Sequence, residues 1–387
     1  MNFSRYNDRI DRVDRVNRLH RIHRAVVYPD LVPTNPPVRN WRHFERSDPF
    51  EDLNDVEFRD NYRFTKQSVR RLVSELSPYL VDDKRRHCLT PMQQVLMTLD
   101  YLGGDEFMRT TARHVRCTRM TVHNCVDRVF AALEHLKPKY VRLPTAAEEE
   151  ASAAEIKRLY NLDNIAYGID CVHMEFKHRP RKVLGGLHAD LFYNRKERFS
   201  LNVQVIGDAF QLIRDIDVRY PGSVHDSRIW ANSRARIHMS GRQYFIAADS
   251  GYALSDTVLK RFDVPDPEHP EQALFNYRLS QARVKMTECI FGMWEARFPI
   301  LTNMRFSHLD AMRAVVATAV LMNFGTMERL NLEFPTIERL PNALVVDERP
   351  PEQALQAGVN ARDDYVSLMV GPQTRREWRV WNGHTDQ

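Results

Sequence analysis

The stretch Arg198–Phe210 (RFSLNVQVIGDAF), followed by Leu212–Val218 (LIRDIDV), decides the fold of this chain. In the middle of the first stretch Leu201, Val203 and Val205 alternate with polar or small residues, and the second stretch alternates again. A period of two is typical of a β-strand, and two such runs separated by a few turn residues predict a hairpin. The sequence therefore predicts a sheet built around this hairpin.

The segments on either side of the hairpin extend the sheet and add helices. Upstream, Ile165–Val172 is a third β-rich run. Downstream, the patterns predict a helix, a short buried strand and three further helices: Ser223–Ser233, Tyr244–Ala248, Leu254–Arg261, Arg278–Arg297 and Asp310–Leu330. Strands in sequence, followed by alternating helices and a strand, indicate an α/β fold. This is the element order of an RNase H-like domain, which we predict over residues 163–332.

The region before residue 140 is different, because its apolar residues recur at helical spacing. Three candidate helices follow one another at Pro91–Leu102, Met108–His114 and Met120–Leu136. A short helix, a tight turn and a longer helix match the plan of a helix-turn-helix. We therefore predict an all-α, helix-turn-helix-like domain over residues 51–140.

Polar and basic side chains cluster at the turn between the last two of these helices. They are Arg113, Arg116, Arg119, Thr121, His123 and Asn124. Arg and Asn at the start of a recognition helix reach phosphates and base edges, so this cluster is a candidate DNA-binding surface. Residues 84–142 contain eleven Lys and Arg against five acids, which suits an anionic partner. A helical packing domain with a polar rim is the alternative that spacing alone leaves open.

The remaining segments have other compositions. Residues 1–48 contain ten arginines against six acids, and Arg stands at every third position from Arg9 to Arg24. A period of three builds no lasting helix face, so we predict a flexible basic arm over residues 1–50, with a solvated tail as the alternative. Residues 141–162 are predicted to be a connector and residues 333–387 a C-terminal extension.

The overall composition is that of an ordinary globular protein, with 43% hydrophobic and 28% charged residues and a formal net charge of +5. No apolar run approaches the roughly 18–20 residues that a membrane span requires, and the N-terminus lacks the apolar core of a secretory signal. The five cysteines are widely spaced without a CxxC pair, which argues against disulfides and structural zinc. A nuclear or cytosolic protein with no membrane association is expected.

Three acids stand at informative places in the predicted α/β domain. Asp170 is predicted to end the first strand, Asp249 to follow the strand Tyr244–Ala248, and Glu288 to lie midway along a long helix. In an RNase H-like sheet the first strand and a later parallel strand are neighbours, and the helix crosses their ends. The three carboxylates are therefore expected to converge. Taken singly, each has a structural alternative, such as a turn, a helix cap or a solvated surface.

Converging carboxylates repel one another, and a divalent cation relieves the repulsion. Ligand sets made only of oxygen favour Mg²⁺ or Mn²⁺ over zinc. Two such ions, about 3.5–4 Å apart, activate water or a 3′-hydroxyl and stabilise the leaving oxygen of a phosphodiester. The acids therefore predict metal-dependent, in-line cleavage of nucleic acid.

Two further features have chemical and structural interpretations of equal weight. Asp226 is either a carboxylate stabilised at a helix N-terminus or a further metal ligand. Arg195 and Lys196, in a basic loop before the second strand, are suited to DNA phosphates, although a solvated hairpin rim explains them nearly as well.

Six blocks between about Gly168 and Phe324 resemble the ordered blocks of PIF/Harbinger DDE transposases and of the Harbinger-derived nucleases domesticated from them. The blocks are GIDCVHMEF, NRKERFSLNVQVIGD, YPGSVHDSRIW, ADSGYAL, FNYRLSQARVKMTECIFGMWEARFPIL and AVLMNF. Residues 93–136 resemble the helix-turn-helix segment of this family less specifically. The differences are small: ADSGY stands where GDSGY is common, and Met322-Asn323 where His-Asn is common.

The resemblance implies a nuclear, divalent-metal-dependent DNA endonuclease or transposase with Asp170, Asp249 and Glu288 as catalytic metal ligands. Asp226 falls in the PGS-x-x-D block of the family and is implied as a further ligand. Members of the family commonly work with a separate Myb-like DNA-binding protein, and a homo-oligomer is left open. The alternative is a domesticated transposase that binds DNA or proteins without cleavage, and a weaker one is an RNA nuclease or resolvase on the same fold.

Overall fold

The computed structural model describes residues 48–80, 89–104, 107–180 and 188–330 of the 387-residue chain. All of them belong to one compact unit that begins at Ser47. The predicted basic arm up to residue 47 and the predicted C-terminal extension lie outside the described residues.

Helices precede the sheet in the chain. They are α1 (Pro49–Asp52), α2 (Asp55–Tyr62), α3 (Lys66–Leu76), α4 (Pro91–Gly103), α5 (Met108–His114), α6 (Arg119–Tyr140) and α7 (Ala146–Tyr160). Capping boxes, in which a polar residue and the residue three positions later cap the first turn reciprocally, begin α2, α4 and α7 at Asn54, Thr90 and Thr145. The stretch predicted to be a connector thus contains α7. This helix packs on the sheet, because the buried Ser152 Oγ donates to the Ala166 carbonyl at 2.6 Å.

The sheet has five strands in the order β3-β2-β1-β4-β5. The strands are β1 (Ile165–Glu175), β2 (Ser200–Asp208), β3 (Ile213–Pro221), β4 (Phe245–Ala247) and β5 (Val258–Leu259). β1, β2 and β3 pair antiparallel, whereas β4 and β5 run parallel to β1. Every residue of β2 is buried, because this strand is covered on both faces. The predicted hairpin and the mixed α/β class are confirmed.

The helices that follow the hairpin are α8 (Asp226–Ala231), α9 (Arg234–Met239), α10 (Pro270–Met286), α11 (Glu288–Arg297) and α12 (His308–Leu330). The predicted helix Leu254–Arg261 is wrong, because Val258 and Leu259 form β5 instead. Both side chains are fully buried and pair with β4, so an extended backbone buries two consecutive apolar residues on opposite faces. None of the described helices is long and apolar enough to cross a membrane.

α12 connects the helical half of the chain to the sheet. The fully buried Asn323 donates from Nδ2 to the carbonyls of Tyr140 and Ile213, both at 2.7 Å, and its Oδ1 accepts from Ile213 N–H at 2.8 Å. Arg313 on the same helix pairs with Asp127 and Glu134 of α6. One apolar core extends from α2 to α12. The predicted boundary between a helical domain and an RNase H-like domain stays a prediction.

Candidate active site

Asp170 lies in the middle of β1, so the prediction that it ends the first strand is wrong. The strand continues to Glu175 because residues 171–175 remain paired with the first half of β2. The side chain is only 15% exposed, and its Oδ1 accepts a hydrogen bond from the Cys171 backbone N–H at 2.8 Å. The carboxylate is therefore held on the surface of the sheet rather than in a loop.

Asp249 stands beside Asp170 because of the parallel register between β1 and β4. Gly168 pairs with Ala247, and each acid lies two residues beyond this pair on its own chain segment. Adjacent strands are about 4.8 Å apart, so the two acids reach the same corner of the sheet. Asp249 is oriented by its own turn, since its Oδ1 accepts from Gly251 N–H at 2.9 Å.

Glu288 is the first residue of α11, and the single long helix predicted over Arg278–Arg297 is wrong. Helix α10 ends at Met286, and Thr287 has φ −132° and ψ −71°, which breaks the helix. The break lies on the sheet at a glycine: a Cβ on Gly168 would stand 2.7 Å from the Met286 Cβ. The missing side chain allows the close approach that brings Glu288, itself about half exposed, to Asp170.

Arg283, in the last turn of α10, links two of the three acids. Its Nη1 donates to Asp170 Oδ2, and its Nη2 donates to Glu288 Oε1 at 2.7 Å. The guanidinium is only 18% exposed. Arg283 was not predicted as a site residue, and its only signal in the sequence is a cation that precedes Glu288 on a predicted helix.

The pKa of Asp170 shows that Asp249 and Asp226 also lie near this carboxylate. Burial is the largest cause that raises the pKa of Asp170, to about 6, while Arg283 and the Cys171 N–H lower it. Asp249 and Asp226 both raise the pKa further, because their negative charges lie near enough to oppose its ionisation. Negative charge is therefore concentrated at this corner of the sheet.

Asp226 is the first residue of α8 and approaches from the other side of the sheet. Its Oδ1 accepts from Asn202 Nδ2 at 2.8 Å, and strand alternation places Asn202 on the face opposite Asp170. Its charge also raises the pKa of Cys171, after the larger effect of burial. The helix-terminus interpretation and the metal-ligand interpretation of Asp226 both remain predictions.

The donor set suits a divalent cation, but it is not assembled as a cage. Among the described residues, no three His, Cys, Asp or Glu side chains form a group that could hold a metal ion. The candidate ligands Asp170, Asp249 and Glu288 offer carboxylate oxygens, which Mg²⁺ and Mn²⁺ prefer. Arg283 supplies positive charge between Asp170 and Glu288, so this space accepts a cationic group. The residues fit a metal in charge and donor type, and Arg283 would have to move for it.

The predicted DNA-binding residues on the helices gather at one turn. Arg116 between α5 and α6 has φ 49°, and Thr118 caps α6 by accepting from Thr121 N–H at 3.1 Å. The structure brings together on this turn and the first turns of α6 the predicted set Arg113, Arg116, Arg119, Thr121 and Asn124. All are exposed except the partly buried Thr121.

Arg195 and Lys196 are exposed in the loop that leads into β2. Asn194 organises this loop, because its buried Oδ1 accepts from the backbone N–H of Lys196 at 2.9 Å. His173 on β1 interacts electrostatically with Arg195, Lys196 and Asp226. Burial is the largest cause that lowers the pKa of His173; the charge of Asp226 raises this pKa, and the two cations lower it. The basic loop thus borders the side of the cluster where Asp226 stands.

Comparisons with known proteins agree with this arrangement. Residues 169–323 match the family model described as DDE superfamily endonuclease. The chain is 22% identical over 284 residues to the human (Homo sapiens) protein named "Putative nuclease HARBI1". This match covers 71% of the present chain and 79% of the human protein. The Rattus norvegicus protein of the same name is 22% identical over 287 residues with the same coverage.

The match to the Mus musculus protein of that name covers 56% of this chain and 62% of the mouse protein, again at 22% identity. No solved structure matches the chain significantly. Endonucleases of the DDE superfamily generally use divalent metals. The resemblance to Harbinger transposase-derived nucleases is confirmed as a similarity, and residues 169–323 are similar to the endonucleases of the DDE superfamily.

Proposed function

We propose that this chain is a divalent-metal-dependent DNA endonuclease or transposase that cuts and joins phosphodiester bonds by two-metal in-line displacement. The observation that supports this function is the guanidinium of Arg283, which Asp170 and Glu288 share. It indicates that acids 118 positions apart in sequence face one cationic group. Asp249 at the same corner and Asp226 from the other side of the sheet add negative charge near Asp170, which suits the binding of divalent ions.

Each acid has a defined role in this proposal. Asp170, Asp249 and Glu288 would hold the metal ions, and Asp226 would be a further ligand. Bound divalent ions supply charge neutralisation at the scissile phosphate and activation of the attacking water or 3′-hydroxyl. The hydrogen bonds from Cys171 N–H to Asp170 and from Gly251 N–H to Asp249 would keep two of the carboxylates aimed at this corner.

DNA would be held by two basic surfaces. The first is the α5–α6 turn, acting as a helix-turn-helix-like DNA-binding domain through Arg113, Arg116, Arg119, Thr121 and Asn124. The second is the loop with Arg195 and Lys196, whose charges lower the pKa of His173 on the strand that carries Asp170. Arg and Lys at exposed positions pair with phosphates and would make binding weaken steeply with salt.

We also propose that the protein acts in the nucleus, as a homo-oligomer or together with a Myb-like DNA-binding partner. This part rests on the likeness to Harbinger transposase-derived nucleases. Nuclear fractionation of cells, with the chain expressed alone and together with candidate partners, tests it. A chain that stays in the cytosol in every case would contradict it.

A metal-switch experiment tests the proposed chemistry. The full chain is bound to supercoiled plasmid in Ca²⁺ and then transferred to Mg²⁺ or Mn²⁺, and nicked product is measured over time. The wild type should nick only after the switch, and Asp170→Asn should lower the rate at least about a hundredfold. Glu175→Gln, five residues along the same strand and paired with Arg198, is the matched control and should cut like the wild type.

The second candidate function is a DNA-binding or protein-interaction factor without cleavage activity. One observation favours it: Arg283 already neutralises Asp170 and Glu288, and the described residues hold no assembled metal group. In the same experiment this candidate predicts plasmid binding in Ca²⁺ and no nicking after the switch. Binding that is equal for wild type and Asp170→Asn, with no product in any metal, would replace the nuclease proposal.

A further inference from the structure

A cavity of about 750 Å³ opens beside the turn between α5 and α6. One wall comes from α5 and the first turns of α6, and the other comes from residues 305–310, which include the first residues of α12. The lining contains four arginines, at positions 109, 113, 119 and 305, together with exposed apolar side chains. Asp310 is the one acid among the described residues that line it. The cavity therefore suits an anionic ligand that also has an apolar surface.

Three of the four arginine charges in the lining remain for a ligand. Arg109, Arg113 and Arg119 are exposed, and within the described part of the chain none of them forms an ion pair. Asp310 already accepts from the Ser307 hydroxyl at 2.7 Å. Three guanidiniums around a concave surface, with planar forks of donors, match the oxygens of phosphate groups.

The cavity also presents an aromatic ring. Phe107 is 64% exposed, and Met120 across the turn is 60% exposed, although both are large apolar residues. The guanidinium of Arg305 lies over the Phe107 ring, 4.7 Å from its centre, and supports the ring from one side. An exposed ring beside guanidiniums is the arrangement on which nucleobases stack while their phosphates bind the cations.

The cavity borders the strand that carries Asp170. Met304 N–H donates to the Glu175 carbonyl at 2.8 Å, and Lys177 N–H donates to the Met304 carbonyl at 2.9 Å. Arg305, the residue after Met304, therefore lies beside the end of β1. Glu175 is five residues beyond Asp170, which is roughly 16 Å along an extended strand. DNA held in the cavity would lie within the reach of the proposed catalytic corner.

We propose that this cavity binds an unpaired nucleotide of the DNA substrate, with its base on Phe107 and the adjoining phosphates on Arg109, Arg113 and Arg119. The inference rests on the proposed function for DNA as the substrate and adds the form of that DNA. In a duplex the base faces are stacked on their neighbours, so only an unpaired or extruded base can cover a ring inside a cavity. The site is thus selective for single-stranded ends, gaps or flipped bases.

Fluorescence polarisation in EDTA tests the proposal with the full-length chain. A labelled blunt duplex is compared with the same duplex extended by a short single-stranded overhang. The wild type should bind the overhang DNA roughly tenfold more tightly, because one stacked base adds about this factor. Phe107→Leu keeps an apolar side chain of similar size but removes the aromatic face, so it should abolish the preference by lowering the affinity for the overhang DNA.

Two further variants separate stacking from charge and from folding. Tyr79→Leu, an exposed aromatic 48% accessible that stacks on His135, should keep the preference. Arg113→Gln should weaken binding of both DNAs. Equal affinity of the wild type for both DNAs, or a preference that survives in Phe107→Leu, would overturn the cavity proposal and leave the nuclease proposal standing. A chain that binds neither DNA, in EDTA or in Ca²⁺, would overturn both.

Discussion

Arg283 and Glu288 are joined by a hydrogen bond of 2.7 Å that spans the break between α10 and α11. The same guanidinium pairs with Asp170 on β1, so one cation neutralises two carboxylates from different parts of the fold. Any ion that uses these oxygens must compete with the guanidinium. Arg283 therefore acts as an internal counter-ion whose loss should affect the metal-free and metal-bound protein in opposite ways.

Arg283→Gln should destabilise the protein in EDTA and increase its response to metal. Removing a charged hydrogen-bond partner from part-buried carboxylates costs about 1–3 kcal/mol, so the melting temperature in EDTA should fall. Because Asp170 and Glu288 then lack a counter-charge, Mg²⁺ or Mn²⁺ should raise the melting temperature more than in the wild type. Lys285→Gln, which changes the charge by the same amount two residues away, is the control. An equal metal-induced shift in all three proteins would show that no ion competes with Arg283.

Asp170 should make the metal-free protein lose stability as pH rises from about 4 to about 6. Its folded pKa, about 6, lies above its ordinary value of 3.8, so the folded state holds the proton over a range where the unfolded state has released it. This contribution is complete below pH 3.8 and is lost as pH rises through 6. Its size is on the order of 2 kcal/mol, because the folded pKa of about 6 and the ordinary value of 3.8 differ by about two.

Urea unfolding of the wild type and Asp170→Asn at pH 4 and pH 7, in EDTA, measures this effect. The asparagine is neutral at both pH values, so the variant should gain on the wild type by roughly 2 kcal/mol between them. A stability difference that is the same at both pH values would mean that Asp170 titrates normally in the folded protein.

The sheet could be predicted from sequence because its main strands alternate. Leu201, Val203 and Val205 carry the signal in β2, and the antiparallel pairing of β2 with β3 follows from their short connection. β5 could not be predicted, since two residues are too short to establish a period, and Val258–Leu259 is extended only because β4 lies beside it. Local sequence therefore revealed the hairpin, but not the strand whose conformation depends on tertiary pairing.

The candidate site, like the sheet, could be predicted from the sequence only in part. Asp170, Asp249 and Glu288 could be singled out from element order, because parallel strands and a crossing helix bring such positions together. The break at Thr287 could not, since threonine is common inside helices and nothing within α10 or α11 marks the end. The break depends on Gly168 and Gly207, more than 75 positions upstream. Because these glycines have no side chains, the junction between α10 and α11 can approach the sheet closely. The role of Arg283 follows from that break and was missed with it.

Gly207→Ala and Gly292→Ala should have opposite effects on stability. A Cβ on Gly207 would overlap the Met286 carbonyl oxygen and the Ile290 side chain, so the helix junction must move away from the sheet at a cost of about 3 kcal/mol. A Cβ on Gly292 meets nothing within 4 Å and lies inside α11, where alanine favours the helix by roughly 0.5–1 kcal/mol.

Denaturant unfolding measures both effects. The first variant should also lose metal response, since displacement of the junction separates Glu288 from Asp170. If Gly207→Ala were as stable as the wild type, the close approach of α10 to β2 would be disproved. Destabilisation by Gly292→Ala would disprove the open surroundings of α11 at that position.

Asn323→Leu should be strongly destabilising, because it removes three hydrogen bonds from a fully buried side chain. The Tyr140 carbonyl and both backbone groups of Ile213 would lose their partners, at about 3 kcal/mol or more in total. Thr318→Val is the control: this residue is equally buried on the same helix, but its hydroxyl bonds only to carbonyls of α12 itself, so it should cost roughly 1 kcal/mol.

The shape of the unfolding curve carries the second half of this prediction. Asn323 ties the end of α6 to β3, so its loss removes a direct link between the helical half and the sheet. If residues 51–140 and 163–332 fold as separate domains, Asn323→Leu should turn one denaturant transition into two and reduce the slope of the first. If the shared core of α6 and α12 makes them a single cooperative unit, the variant should unfold in one step at lower denaturant. Circular dichroism of the helices and tryptophan fluorescence, to which the buried Trp230 and Trp294 contribute, distinguish the two outcomes when they are followed together.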